Sequence, residues 1–142
     1  MKKLLFTSIA AVSLLMAEAQ LKTPAPSTTQ TIKQDFGLGT IELSYSRPGM
    51  KGRKIFGDLV PFGNVWRTGA NNATLITFSD AVTIGDKKVP AEKYGLLSIP
   101  DKNNWILIIT KQLDVTSPAA YKQESDVARV EVKTMKMGEK VE

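Results

Sequence analysis

Tyr94-Gly95-Leu96-Leu97-Ser98-Ile99-Pro100-Asp101-Lys102-Asn103-Asn104-Trp105-Ile106-Leu107-Ile108-Ile109-Thr110 is the stretch that decides the fold class of this 142-residue chain. Two apolar runs, Tyr94 to Ile99 and Trp105 to Thr110, flank five residues of turn chemistry, which is the pattern of a β-hairpin. The second run, Trp105 to Ile109, has no polar face, so it reads as a central strand covered on both sides. Working outward, Val82-Thr83-Ile84 and Lys87-Lys88-Val89 flank Gly85-Asp86 as a second hairpin with glycine at a turn position. Ala73 to Ser79 is a β-branched and aromatic run broken by Asp80. Thr40 to Ser46 alternates, with Ile41, Leu43 and Tyr45 on one face, and Arg47-Pro48-Gly49 stops it. Val127 to Val132 alternates again, placing Ala128, Val130 and Val132 inward and Arg129 and Glu131 outward.

Strands at short intervals with Gly, Pro and Asn punctuation predict an all-β chain built as one antiparallel, sandwich-like domain. No long stretch has a 3.6-residue apolar period. Pro118 to Ser125 can supply at most one short helix, and there is no internal repeat.

Composition narrows the chemistry. Hydrophobic content of 42% with 23% charged residues suits a globular protein of one domain. There is no cysteine and no histidine, which excludes zinc sites built on them and both Ser-His-Asp and Cys-His catalysis. A disulfide scaffold is excluded too, so stability rests on a hydrophobic core. The net charge of +5 is mildly basic, a weaker footprint than nucleic-acid binders carry, so no nucleic-acid partner is expected. No cofactor is implied, and no segment fixes an oligomeric state.

Residues 1–19 follow the plan of a cleavable export signal. Lys2 and Lys3 form a positive start, Leu4 to Ala17 an apolar run, and Ala17-Glu18-Ala19 offers small residues at the cleavage positions. The apolar run is shorter than the roughly 20 residues a bilayer span needs. The competing reading is a short buried N-terminal helix. No cysteine follows, so a lipid anchor is excluded. The mature chain is expected to start at Gln20, in the periplasm or outside the cell, without stable membrane insertion. Removing two lysines and one glutamate lowers its net charge to +4. Residues 20–29, rich in Pro, Ser and Thr, read as a flexible lead-in, and residues 30–142 as the β domain. The Lys133 to Glu142 tail resembles a strand end followed by a turn, where a further strand is expected.

The chemically richest segment is Tyr45 to Thr74. Arg47, Lys51, Arg53 and Lys54 fall within eight positions, and five glycines imply tight backbone turns. Trp66, Arg67, Asn71 and Asn72 follow. Guanidinium groups bind carboxylate or phosphate bidentately, and an indole face packs on a sugar or a cation.

Three blocks here carry a resemblance: Tyr45-Ser46-Arg47-Pro48, Lys51-Gly52-Arg53-Lys54-Ile55-Phe56-Gly57, and Val65-Trp66-Arg67-Thr68-Gly69-Ala70-Asn71. With Pro90-Ala91, Tyr94-Gly95-Leu96, Ile99-Pro100 and Asp126 to Val130, they resemble domain-of-unknown-function family 2911 over roughly Pro24 to Val132. That resemblance implies an exported bacterial protein, of a group found mainly in Bacteroidetes, with a β-rich domain of unassigned activity. Two departures stand out. The family usually has an acidic residue where Asn72 stands, and further β-structure after the point where this chain ends.

Two readings of the segment compete. In one, Arg47, Lys51, Arg53, Trp66, Arg67 and Asn71 build a face for an anionic or glycan ligand. In the other, the arginines brace backbone carbonyls or pair with Asp58 or Glu42, and Trp66 and Trp105 are core. Catalysis would fall to Asp58, Glu42, Asp80, Lys51 or Lys54. Two carboxylates can run glycan hydrolysis, but nothing in their spacing places them together. Asp80 and Asp86 lack calcium-loop spacing, so no metal site is expected. The leading expectation is a non-catalytic binding or envelope-associated module. A carboxylate-dependent glycan hydrolase and a purely structural domain are the rivals.

Overall fold

The computed structural model describes residues 23–135 and Gly138. The segment read as an export signal lies outside the described residues, as does most of the tail beyond Met135. Eight strands run in chain order: β1 Thr28–Phe36, β2 Gly39–Arg47, β3 Thr74–Phe78, β4 Val82–Ile84, β5 Lys87–Val89, β6 Lys93–Ile99, β7 Asn104–Thr110 and β8 Asp126–Lys133. Six of them form one antiparallel sheet in the order β1-β2-β3-β6-β7-β8, and β4 and β5 form a separate hairpin. The chain is thus an all-β antiparallel domain. Among the described residues helix is limited to two 3-10 turns, Pro118–Ala120 and Gln123–Ser125, in place of the one short helix expected there. No helix among those residues is long and apolar enough to cross a membrane.

Local sequence explains the hairpins. β6 and β7 pair from Gly95 with Thr110 to Ile99 with Ile106, across the Pro100-to-Asn103 turn. β4 and β5 close through Gly85-Asp86, with Gly85 at φ 62°, a conformation that costs glycine little. Gly95 answers a different need: a Cβ there would collide with the Gln112 carbonyl as the chain leaves β7.

The sheet is covered on both faces, each by a different device. On one face Phe78, Val89, Tyr94, Ile109 and Ala128 form a buried cluster, joined by Val82 and Ile84 of the β4–β5 hairpin. On the other, Ala73, Leu97, Ile108 and Val115 cluster with Val65 and Tyr121. That second cover comes from the loops before β3 and after β7. Neighbouring residues Ile108 and Ile109 therefore point into opposite clusters, which is why the run Trp105 to Ile109 has no polar face. Burying a side chain of this size contributes roughly 1.5–3 kcal/mol.

One strand departs from the expectation. β1 starts at Thr28, two residues inside the stretch read as a flexible lead-in, and pairs with β2 along its whole length. Its first half, Thr28 to Thr31, is polar, and nearly all of it is exposed because it is the sheet's outer strand.

Candidate functional site

Between β2 and β3 the chain makes no regular strand from Pro48 to Ala73; it is held instead by turns and hydrogen bonds. Six residues in this segment have left-handed φ: Lys51 (50°), Gly52 (71°), Gly57 (81°), Gly63 (75°), Thr68 (56°) and Asn71 (60°). For β-branched Thr68 this conformation is strained and must be imposed by its surroundings. The surroundings are identifiable. The Trp66 and Ser98 backbones exchange hydrogen bonds at 2.7 and 2.9 Å, so the segment docks onto β6 just beyond the point where β3 begins to pair with it. Thr68 Oγ1 shares a hydrogen bond with Ser98 Oγ at 2.9 Å, and Thr74 Oγ1 donates to the Thr68 carbonyl at 2.9 Å. Strain of this kind costs about 1–3 kcal/mol per residue and clusters at functional sites.

The segment encloses a cavity of about 750 Å³. Ile55, Phe56, Leu59, Val65 and Trp66 make an apolar wall, Val115 to Pro118 close the far side, and Arg53 and Arg67 are its cations. Gly57, next to the wall residue Phe56, has no room for a side chain: a Cβ there would sit 2.6 Å from the Phe62 ring. Phe56 meets Trp66 edge-on at 5.7 Å and Trp105 at 4.8 Å, and the two indoles stand 6.3 Å apart. Trp66 is therefore both packed against other rings and part of the wall. Trp105 is outside the wall, its indole N–H donating to the Asp101 carbonyl at 3.1 Å.

The two arginines use their guanidinium groups differently. Arg53 donates from Nε to the Met50 carbonyl (3.1 Å) and from Nη2 to the Gly49 carbonyl (2.8 Å), clamping its own loop. Arg67 donates from Nη1 to the Thr116 carbonyl at 2.7 Å. Its Nε is buried with no partner among the described residues.

The six residues read from the sequence thus divide. Arg53, Trp66 and Arg67 line the cavity; Arg47, Lys51 and Asn71 do not. Asn71 acts at one remove, its amide donating to the Ser27 carbonyl (3.2 Å) and to Ser46 Oγ (3.4 Å), which fixes Ser27 at the cavity rim. Of the two kinds of bracing read from the sequence, the pairing of Arg47 or Arg67 with Asp58 or Glu42 does not occur, whereas bracing of backbone carbonyls does, at Arg53 and Arg67. Ion pairs among the described residues are Lys87–Asp86 and Arg129–Asp126, and Arg67 is braced by a backbone carbonyl instead. Among the described residues, neither Asp58 nor Glu42 nor any other carboxylate lines the cavity. Asp80 and Asp86 are engaged separately, by Ser79 and Lys87.

Sequence reasoning missed the apolar wall residues Phe56 and Leu59, whose exposure (40% and 56%) is high for their type. It also missed a polar cluster at the start of β8. There Tyr121 donates its hydroxyl proton to Asp126 Oδ2, and Arg129 Nη1 bonds both, at 2.6 and 2.9 Å. Burial, then the neighbouring Asp126, pushes the Tyr121 phenol up to about 12.

Comparison with curated proteins gives no match, and comparison with solved structures gives none either. The model of the family described as "Protein of unknown function (DUF2911)" matches residues 27–142, which include the cavity segment and every described strand in full. That match spans most of the chain, and β1 enters it from its first residue, so the chain belongs to the DUF2911 family.

Proposed function

We propose that this protein is an exported, non-catalytic binding module whose cavity receives a small anionic ligand. One observation carries the reading: a cavity of about 750 Å³ whose wall, among the described residues, holds two arginines, a largely apolar lining and no carboxylate. Ligand pockets commonly enclose about 300–1,000 Å³, mostly apolar with a few fixed polar groups. Glycan hydrolysis needs a pair of carboxylates flanking the scissile bond, and this wall has none to supply. Export is supported by the leader at residues 1–19, and mass analysis of the exported chain tests it, with a start at Gln20 expected.

Thermal shift tests the binding reading. The full chain is screened against carboxylates, acidic glycans, peptidoglycan fragments and inorganic phosphate. A ligand at 100 times its dissociation constant adds about 2.7 kcal/mol and raises the melting temperature by several degrees. Arg67→Ala is expected to abolish that shift with the circular dichroism spectrum unchanged. Loss of the fold in Arg67→Ala, with no ligand found, would make the segment a structural brace.

A further inference from the structure

We infer that the ligand is an apolar monocarboxylate, held side-on by Nε and Nη2 of Arg67 with its body along Phe56, Leu59 and Trp66. The inference rests on the binding reading above and names its ligand class. The first support is the orphaned donor. A buried N–H without a partner forfeits its hydrogen bond to water and gains none in return, so such groups are rare unless a ligand or ordered water completes them. Because Nη1 is tied to the Thr116 carbonyl, the edge left over is the Nε–Nη2 side, which presents two parallel N–H bonds. That geometry matches the two oxygens of a carboxylate. Arg53 shows the same edge satisfied, by the Met50 and Gly49 carbonyls, so it is no rival anchor.

The second support is charge. Arg67 is partly buried and has no carboxylate partner among the described residues, and cations withdrawn from water are normally paired. One unoccupied guanidinium edge balances one negative charge. A phosphate dianion or an acidic oligosaccharide asks for more free cationic donors; the wall's other cation, Arg53, already spends its Nε–Nη2 edge on backbone carbonyls, and Arg47 and Lys51 lie outside the wall. One side of the lining suits an apolar body, because Ile55, Phe56, Leu59, Val60 and Val65 offer it no hydrogen bond from their side chains; the polar side chains, such as Asn64 and Ser117, belong to the remainder of the wall.

Isothermal titration of the full chain with four probes decides the matter: 2-naphthoate, its neutral isostere 2-naphthamide, glucuronate and inorganic phosphate. Naphthoate is expected to bind about tenfold or more tightly than naphthamide, since a hydrogen bond to a charged group is at stake. Arg67→Lys keeps the charge but loses the planar fork, and should erase that ratio while naphthamide binding, which reports an intact cavity, persists. Arg47→Ala, outside the wall, should leave the ratio as it was. Equal binding of naphthoate and naphthamide, or a ratio that survives Arg67→Lys, overturns the inference. Binding of phosphate or glucuronate without naphthoate also overturns it, yet leaves anion binding standing. Silence from all four probes, with Nε completed by water, removes the ligand class and counts against the binding reading itself.

Discussion

The two covers of the sheet solve the same problem by different means. Under the β4–β5 hairpin, closure is by apolar packing: Val89 and Tyr94 are fully buried, and one turn glycine, Gly85, takes a left-handed conformation. At the other cover, between β2 and β3, six left-handed residues within 51–71 are pinned by hydrogen bonds, and a cavity remains. Packing removes space, whereas a hydrogen-bonded frame of turns can hold space open, because its shape does not depend on filling the interior. Both covers bury apolar residues, but only the second leaves space, and it is there that the proposed binding reading puts the ligand.

The sharpest way to break that division is to truncate an aromatic on each side. Tyr94→Ala should cost about 3–5 kcal/mol in denaturant unfolding, typical of a fully buried large side chain. Phe56→Ala, at a ring 40% exposed, should cost less, about 1–2 kcal/mol, chiefly its edge contacts with the two indoles. Equal costs would mean that the cavity wall is ordinary core.

Alkaline titration probes the same contrast with a smaller effect. The phenol of Tyr121 is raised from its ordinary value of 10 to about 12 in the folded chain. Its contribution to stability is fully present below pH 10 and is lost as pH rises toward 12, because the unfolded chain releases that proton first. Tyr94, on the hairpin side, is shifted in the same direction by burial. Tyr121→Phe should flatten part of the decline in melting temperature above pH 10, and Tyr94→Phe a further part; an unchanged slope in both variants contradicts the assignment.

Smallest are the backbone substitutions, and their signs should be opposite. Gly85→Ala forces a Cβ into a left-handed turn and 3.1 Å from Val130, and should destabilise by about 1 kcal/mol. Lys51→Gly relieves a left-handed lysine that is exposed and lines no cavity, and should stabilise by about 0.5 kcal/mol. Melting curves of the two variants compare them directly.

How far the sequence foretells this arrangement follows from which interactions leave a mark in it. The hairpins were legible because Gly85-Asp86 and Pro100-to-Asn104 combine turn chemistry with apolar flanks. β1 was not, since an outer strand needs few apolar residues and Thr28 to Thr31 has none. Arg53, Trp66 and Arg67 stood out by residue type in a glycine-rich stretch. Their partners did not: the carbonyls of Gly49, Met50 and Thr116 are backbone groups, present at every position and so invisible to pattern reading. The same limit explains why bracing by backbone carbonyls could be expected in kind but not placed, and why Asp58 and Glu42 were the only side chains offered as partners. The hydrogen bonds that set the left-handed φ of Thr68 come from Ser98 and Thr74, one of them on a strand thirty residues away.

The aromatic triad has an optical consequence. The chain has two tryptophans, and both stand in that one cluster, 6.3 Å apart and close to perpendicular at 79°. Indole emission therefore samples a single end of the molecule, and Trp66 places one of the two fluorophores on the cavity wall itself. A quench or colour shift reports events at that wall, while the hairpin-covered core, lit only by tyrosine and phenylalanine, stays dark to the same wavelength.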